Sequence, residues 1–129
     1  MGRDMLLEEI LIDENLNIKA AIERLEKVRC KVVYVVRAGK LVASVSDGDV
    51  RRYTLKNGDV NASMEHIANY NPKYLLRYEK EELERTFSQS EQYSIPVVNY
   101  NHEVMEIIFR DGRRIRRKYE LDCPVVMMA

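Results

Sequence analysis

The chain has 129 residues, room for one compact domain or two small halves sharing a core, not for a large enzyme with a separate substrate domain. Hydrophobic residues make up 46% and charged ones 33%, the balance of a folded chain, and no apolar run reaches the roughly 20 residues that span a bilayer. With 21 basic and 21 acidic side chains the net charge is zero, unlike the strongly basic composition of dedicated nucleic-acid binders.

The N-terminus, MGRDMLLEEILIDEN, carries acids where a secretory signal is apolar, and the chain is expected in the cytoplasm. From Leu16 to Val28, apolar residues at Ile18, Ala21, Ile22, Leu25 and Val28 share one helical face, with Asn17 as the N-cap. Val32 to Val36 is an apolar run short enough for a buried strand. Ala38–Gly39 turns it, and Lys40 to Val45 reads as a second strand. A helix follows over Asp47 to Leu55, closed by Asn57–Gly58. Met64 to Asn69 reads as a short helix, and Asn71–Pro72 ends it before a strand at Lys73 to Arg77.

The same order then recurs. Lys80 to Ser90 is amphipathic through Leu83, Thr86 and Phe87, Ile95 to Val98 is a strand, and Glu103 to Phe109 is another. Sliding the first unit forward by about 62 positions places Ala21 on Leu83, Leu25 on Phe87, and Val33-Tyr-Val-Val36 on Ile95-Pro-Val-Val98. That period is too long for a solenoid repeat. Two tandem halves, each helix–strand–strand–helix and too small to bury a core alone, are expected to pack through their sheets.

The segment Ala43-Ser-Val-Ser-Asp-Gly-Asp49 lies at a strand-to-helix junction, with the Ser46 hydroxyl three residues before the Asp49 carboxylate. Ser-x-x-Asp resembles a capping box, which by itself explains both residues. The same geometry suits a nucleotide: a helix N-terminus favours phosphate, a hydroxyl donates to it, and a carboxylate accepts from ribose hydroxyls. Arg51 and Arg52 follow on the first turns, where a guanidinium supplements the charge balance of a phosphate.

The tail is charged differently. Arg110 to Lys118 holds six basic residues and one acid, a local charge of +5, so the remainder sums to −5. This block reads as a solvated basic linker. Val125 to Ala129 is apolar and β-prone with nothing after it to cover it, an arrangement that natural C-termini avoid. The chain is therefore expected to be cut at the first strand of another domain.

The stretch Gly39-Lys-Leu-Val-Ala-Ser-Val-Ser-Asp-Gly-Asp-Val-Arg-Arg52 resembles a cystathionine-β-synthase (CBS) domain, whose motif is Gly-apolar-apolar-Thr/Ser-x-x-Asp/Asn. Ser46 and Asp49 match its last two anchors, while Ala43 replaces the usual Gly and Ser44 an apolar residue. Ile95-Pro-Val-Val98 resembles the matching strand of a second CBS domain. The resemblance implies an α/β (α+β) tandem CBS pair, or Bateman module, of two β-α-β-β-α halves packed through their sheets. Residues 7–60 form the first domain, 61–112 the second, and 113–123 the basic linker.

Such pairs bind AMP, ADP, ATP or S-adenosylmethionine between the sheets and regulate an attached enzyme or channel. By that resemblance Ser46 contacts phosphate or ribose, Asp49 contacts ribose, and Arg52 is a further phosphate candidate. The second motif departs from the pattern: Phe109 stands where Ser or Thr belongs and Gly112 where Asp belongs, so one nucleotide per chain is expected. Pro124-Val-Val-Met-Met-Ala129 is similar to the opening strand of a sugar-phosphate nucleotidyltransferase, implying a catalytic domain after this non-enzymatic fragment. A homodimer is the implied assembly. The alternative is a ligand-free structural CBS module serving as a dimerisation platform.

His66 and His102 have no second ligand at metal spacing. Cys30 and Cys123 serve as small hydrophobes, and no nucleophilic triad can be assembled. Eight scattered tyrosines read as core or rim packing. Nucleic-acid binding through residues 110–118 ranks last.

Overall fold

The structure, a computed structural model, describes residues 6–77 and 79–117. Helix α1 (Leu7–Ile10) leads into strand β1 (Leu11–Asp13), helix α2 (Ile18–Val28), strands β2 (Val32–Arg37) and β3 (Lys40–Ser46), and helix α3 (Asp47–Leu55). After a 3₁₀ turn at Met64–His66 come helix α4 (Lys80–Ser88) and strands β4 (Ser94–Val98), β5 (Val104–Phe109) and β6 (Arg114–Arg116). Two three-stranded sheets result, β1-β2-β3 and β4-β5-β6. β1 runs parallel to β2, and every other named pair is antiparallel.

Local chemistry accounts for the first unit. Asn17 Oδ1 accepts from Ala20 N at 3.0 Å and starts α2, which buries Ile18, Ala21, Leu25 and Val28. Arg29, in the left-handed region at φ 56°, ends it. α3 stops at Leu55, and Asn57 rather than Gly58 takes the left-handed conformation, at φ 63°. Gly58 is required for a different reason: a Cβ there would lie 2.3 Å from the Tyr53 ring.

The repeat is visible in the pairing. β2 and β3 slip between Val35 and Val36, and β4 and β5 slip between Val97 and Val98, leaving Val42 and Met105 as the extra residues. Positions related by the repeat also meet: Lys40 bridges Glu103, and the Lys31 ammonium lies 5.5 Å from the Tyr93 ring centroid. A pseudo-twofold axis therefore runs between the sheets. The main core draws Val33, Tyr34 and Val45 from one unit and Val104, Ile107 and Phe109 from the other. On the alternate face of β5, Ile108 packs with Leu83, Ile95 and Val97 under α4.

Three expectations change. The strand at Lys73 to Arg77 reduces to one parallel bridge, Leu75 to Val97, held by Leu75 N to Pro96 O (3.0 Å) and Val98 N to Leu75 O (2.8 Å). Extending the ladder back toward Lys73 needs the N–H of residue 96, and proline has none. The helix expected to close the second unit does not follow β5; a tight turn leads into β6 instead. The 113–123 linker accordingly begins inside a sheet, because Ile115 pairs with Ile107 and the nearly buried Glu106 carboxylate binds both Arg114 and Arg116. Residues 118–129, with the strand expected at Pro124–Ala129, lie outside the described residues.

Candidate functional site

Ser46 ends β3 and caps α3 in one step. Its Oγ accepts from Asp49 N at 3.1 Å, and Asp49 Oδ2 accepts from Ser46 N at 3.0 Å, so the capping box is complete. Arg52, one turn on, donates to Asp49 Oδ1 at 2.7 Å and folds back over Gly48. The Asp47 amide donates to Lys31 O at 2.9 Å, so two of the first three α3 amides are already engaged. The helix end is thus less open to phosphate than its sequence implies.

A cleft of about 750 Å³ opens beside this junction. Ser46, Asp47, Asp49 and Arg51 line one side, Lys31 just before β2 and Tyr34 within it add to the wall, and Glu91 and Tyr93 close it from the second unit. Arg110 fixes that second wall. Its guanidinium donates to Phe87 O (3.0 Å), Ser90 O (2.8 Å) and Gln92 O (2.8 Å), and its backbone N–H donates to Tyr93 O (3.0 Å). The cleft is therefore built between the two units, and its volume lies within the usual range of small-molecule sites.

Of the three candidates, the structure brings Ser46 and Asp49 into this cleft and leaves Arg52 out of its lining. Arg52 borders a smaller hollow of about 200 Å³ with Tyr53, Lys56 and His66. Arg51 faces the cleft instead. Lys31, Tyr34, Glu91 and Tyr93 escaped residue-by-residue reading. The repeat itself carried a signal, since Lys31 and Tyr93 are 62 positions apart and equivalent positions near a pseudo-twofold axis must approach.

Among the described residues the second motif builds no comparable site. Phe109 pairs with Ser94 as Ser46 pairs with Val32, so it holds the matching position, but its ring is buried. Tyr93 meets it edge-on at 5.8 Å between centroids, and the Arg113 guanidinium covers it at 4.7 Å. Gly112, at φ 98°, turns the chain into β6 where α3 begins in the first unit.

Burial pushes the Tyr34 phenol well above its ordinary range, against the opposing effect of its bond to Ser94. Burial likewise raises the Cys30 thiol, with Arg113 opposing. The described basic block is not a free cationic patch: Arg113 binds Asp111, Arg114 and Arg116 bind Glu106, and Arg110 and Arg117 donate to carbonyls. Among the described residues no three His, Cys, Asp or Glu side chains are grouped to hold a metal, and no helix is long and apolar enough to cross a membrane.

Solved structures share this fold. The chain is similar to a CBS domain protein from Pyrobaculum aerophilum complexed with AMP, with TM-score 0.69 and 20% identity over 84% of this chain and 82% of that one. The fold is that of a CBS-domain pair. CBSX2 in complex with AMP gives TM-score 0.67 and 18% identity over 81% of this chain and 84% of that one. The cytosolic domain of the Mg²⁺ channel MgtE in complex with ATP gives 0.66 and 19% over 79% of this chain and 42% of that one. No protein-family model and no curated protein matches the sequence.

Proposed function

We propose that this CBS pair, with units at 7–60 and 61–112, is a regulatory module that binds an adenine nucleotide or S-adenosylmethionine in the cleft between its halves. One observation carries the reading: a cleft of about 750 Å³ joins Ser46 and Asp49 to the aromatic residues Tyr34 and Tyr93. The structural neighbours in complex with AMP or ATP support it. Tyr93 offers apolar surface to a base, with the buried Tyr34 beneath the cleft floor. Asp49 accepts from ribose hydroxyls, and Ser46, whose oxygen already accepts from Asp49 N, keeps its hydroxyl proton to donate. Arg52 acts through Asp49.

A ligand touching both units biases their arrangement, or that of a homodimer, and passes the bias along residues 113–123. The attached domain in this reading is a sugar-phosphate nucleotidyltransferase, on the resemblance of Pro124–Ala129. Reading the gene beyond residue 129 tests that part, since the reading requires a Gly-Gly-x-Gly-Thr-Arg-like loop there.

Calorimetric titration with AMP, ATP and S-adenosylmethionine tests the binding. At least one is expected to bind, and Ser46→Ala/Asp49→Ala is expected to abolish it. No binding to the unaltered protein, or equal binding to the double variant, overturns the proposal. The complete capping box favours one other reading, a structural dimerisation module in which Ser46 and Asp49 only cap α3. A ligand that binds only the folded form raises Tm; the structural reading predicts no such rise.

A further inference from the structure

Resting on the nucleotide reading above, we propose that Arg110 is a positioning residue for ligand binding: the degenerate second junction has become the support for the far wall of the first unit's cleft. The repeat locates it. Asp47 N donates to Lys31 O at 2.9 Å, and Arg110 N donates to Tyr93 O at 3.0 Å. Arg110 follows Phe109, the counterpart of Ser46, so it holds the position of Asp47. In the first unit Asp47 opens α3 and lines the cleft. In the second unit no helix follows β5, and the Arg110 side chain turns back onto the segment between α4 and β4.

There its guanidinium serves three carbonyls at once. Nη1 donates to Phe87 O (3.0 Å), Nη2 to Ser90 O and Gln92 O (2.8 Å each), and Nε to Gln92 O (3.0 Å). The Phe87 carbonyl belongs to the last turn of α4, where a cation also complements the helix dipole, and the guanidinium lies 4.9 Å from the Phe87 ring centroid. Ser90 and Gln92 flank Glu91, and the Tyr93 carbonyl is held by the Arg110 amide. Ser90 Oγ ties the segment to α4 through Thr86 O (2.9 Å), whereas Arg110 ties it to the end of β5.

Glu91, Gln92 and Tyr93 line the cleft, and Arg110 does not. Its effect on a ligand therefore passes through the wall it holds. Without the guanidinium the wall loses the donors to three carbonyls, and ordering it then opposes binding. A lysine keeps the charge but is a point donor without the planar fork that spans these carbonyls.

Calorimetry with AMP, ATP and S-adenosylmethionine compares the unaltered protein with Arg110→Ala and Arg110→Lys, each shown folded by its thermal transition. A ligand that binds the unaltered protein is expected to bind both variants about tenfold or more weakly. Guanidinium chloride, far below the concentrations that unfold the protein, is expected to restore affinity to Arg110→Ala, and sodium chloride at equal ionic strength is not. Should Arg110→Ala fail to fold, Arg110→Lys decides by its affinity. A purely structural role predicts a lower Tm with the affinity of the folded protein unchanged. That result, or a loss that guanidinium leaves in place, overturns the inference and leaves the nucleotide reading standing. Failure of all three ligands to bind the folded, unaltered protein overturns both.

Discussion

The Tyr34 hydroxyl lies 2.7 Å from Ser94 Oγ and 3.1 Å from the Ser94 carbonyl oxygen, joining β2 of one unit to β4 of the other. Both residues are buried, and Tyr34 also borders the cleft. Tyr34→Phe keeps the ring and removes the hydroxyl, leaving the Ser94 groups without that partner. A loss of about 1–3 kcal/mol in folding stability is expected from chemical denaturation, because a buried polar group left unsatisfied costs its desolvation.

The same phenol sets a dependence on alkaline pH. Its folded pKa is raised above the ordinary value near 10, so ionisation occurs in the unfolded state first. Above about pH 10 the unfolded chain binds fewer protons than the folded one, and stability contributed by Tyr34 is lost as pH rises. The difference in stability between the unaltered protein and Tyr34→Phe should therefore shrink from about pH 9 to pH 11. A difference that stays constant would show that Tyr34 ionises alike in both states.

Phe109 fills the position that Ser46 occupies in the first unit, and substituting it does not restore a second site. Phe109→Ser removes a ring packed against Tyr93 and Arg113 and places a hydroxyl in the main core. A cost of about 3–5 kcal/mol is expected, as for other buried aromatic truncations. Calorimetry should show no additional nucleotide bound per chain.

Glu106 holds β6 in place, since its carboxylate accepts from Arg114 and Arg116 while Arg117 N closes the ladder on Met105 O at 2.9 Å. Glu106→Ala leaves two arginines side by side on a three-residue edge strand. Hydrogen exchange at the Arg117 amide should quicken by about tenfold or more, as local opening becomes easier. Unchanged protection would assign β6 to its backbone pairing alone.

Ser46→Ala should cost about 1 kcal/mol with no nucleotide present, because it removes the acceptor for the Asp49 amide. With saturating AMP the gap in Tm should widen if Ser46 also meets the ligand. An equal gap in both conditions would confine Ser46 to capping.

Much of the architecture was legible from local pattern. The α3 boundaries, the Asn17 cap and the repeat near 62 residues follow from helical spacing, capping chemistry and short apolar runs, all properties of neighbouring residues. β1 and β6 were not legible, being three residues each, too short to show a period. That the Leu75 bridge does not extend toward Lys73 depends on Pro96, whose missing N–H matters only once the two segments lie side by side.

The candidate site divides the same way. Sequence alone determines that Ser46 and Asp49 sit three residues apart at a strand-to-helix junction, because capping is a local event. Only the tertiary structure decides that Arg51 faces the cleft and Arg52 does not. It also decides that Lys31 meets Tyr93 and that Asp47 and Glu91 share one cleft. Those relations depend on how two sheets pack about a pseudo-twofold axis. Contacts between residues some sixty positions apart arise from burying a joint core, which no local pattern encodes.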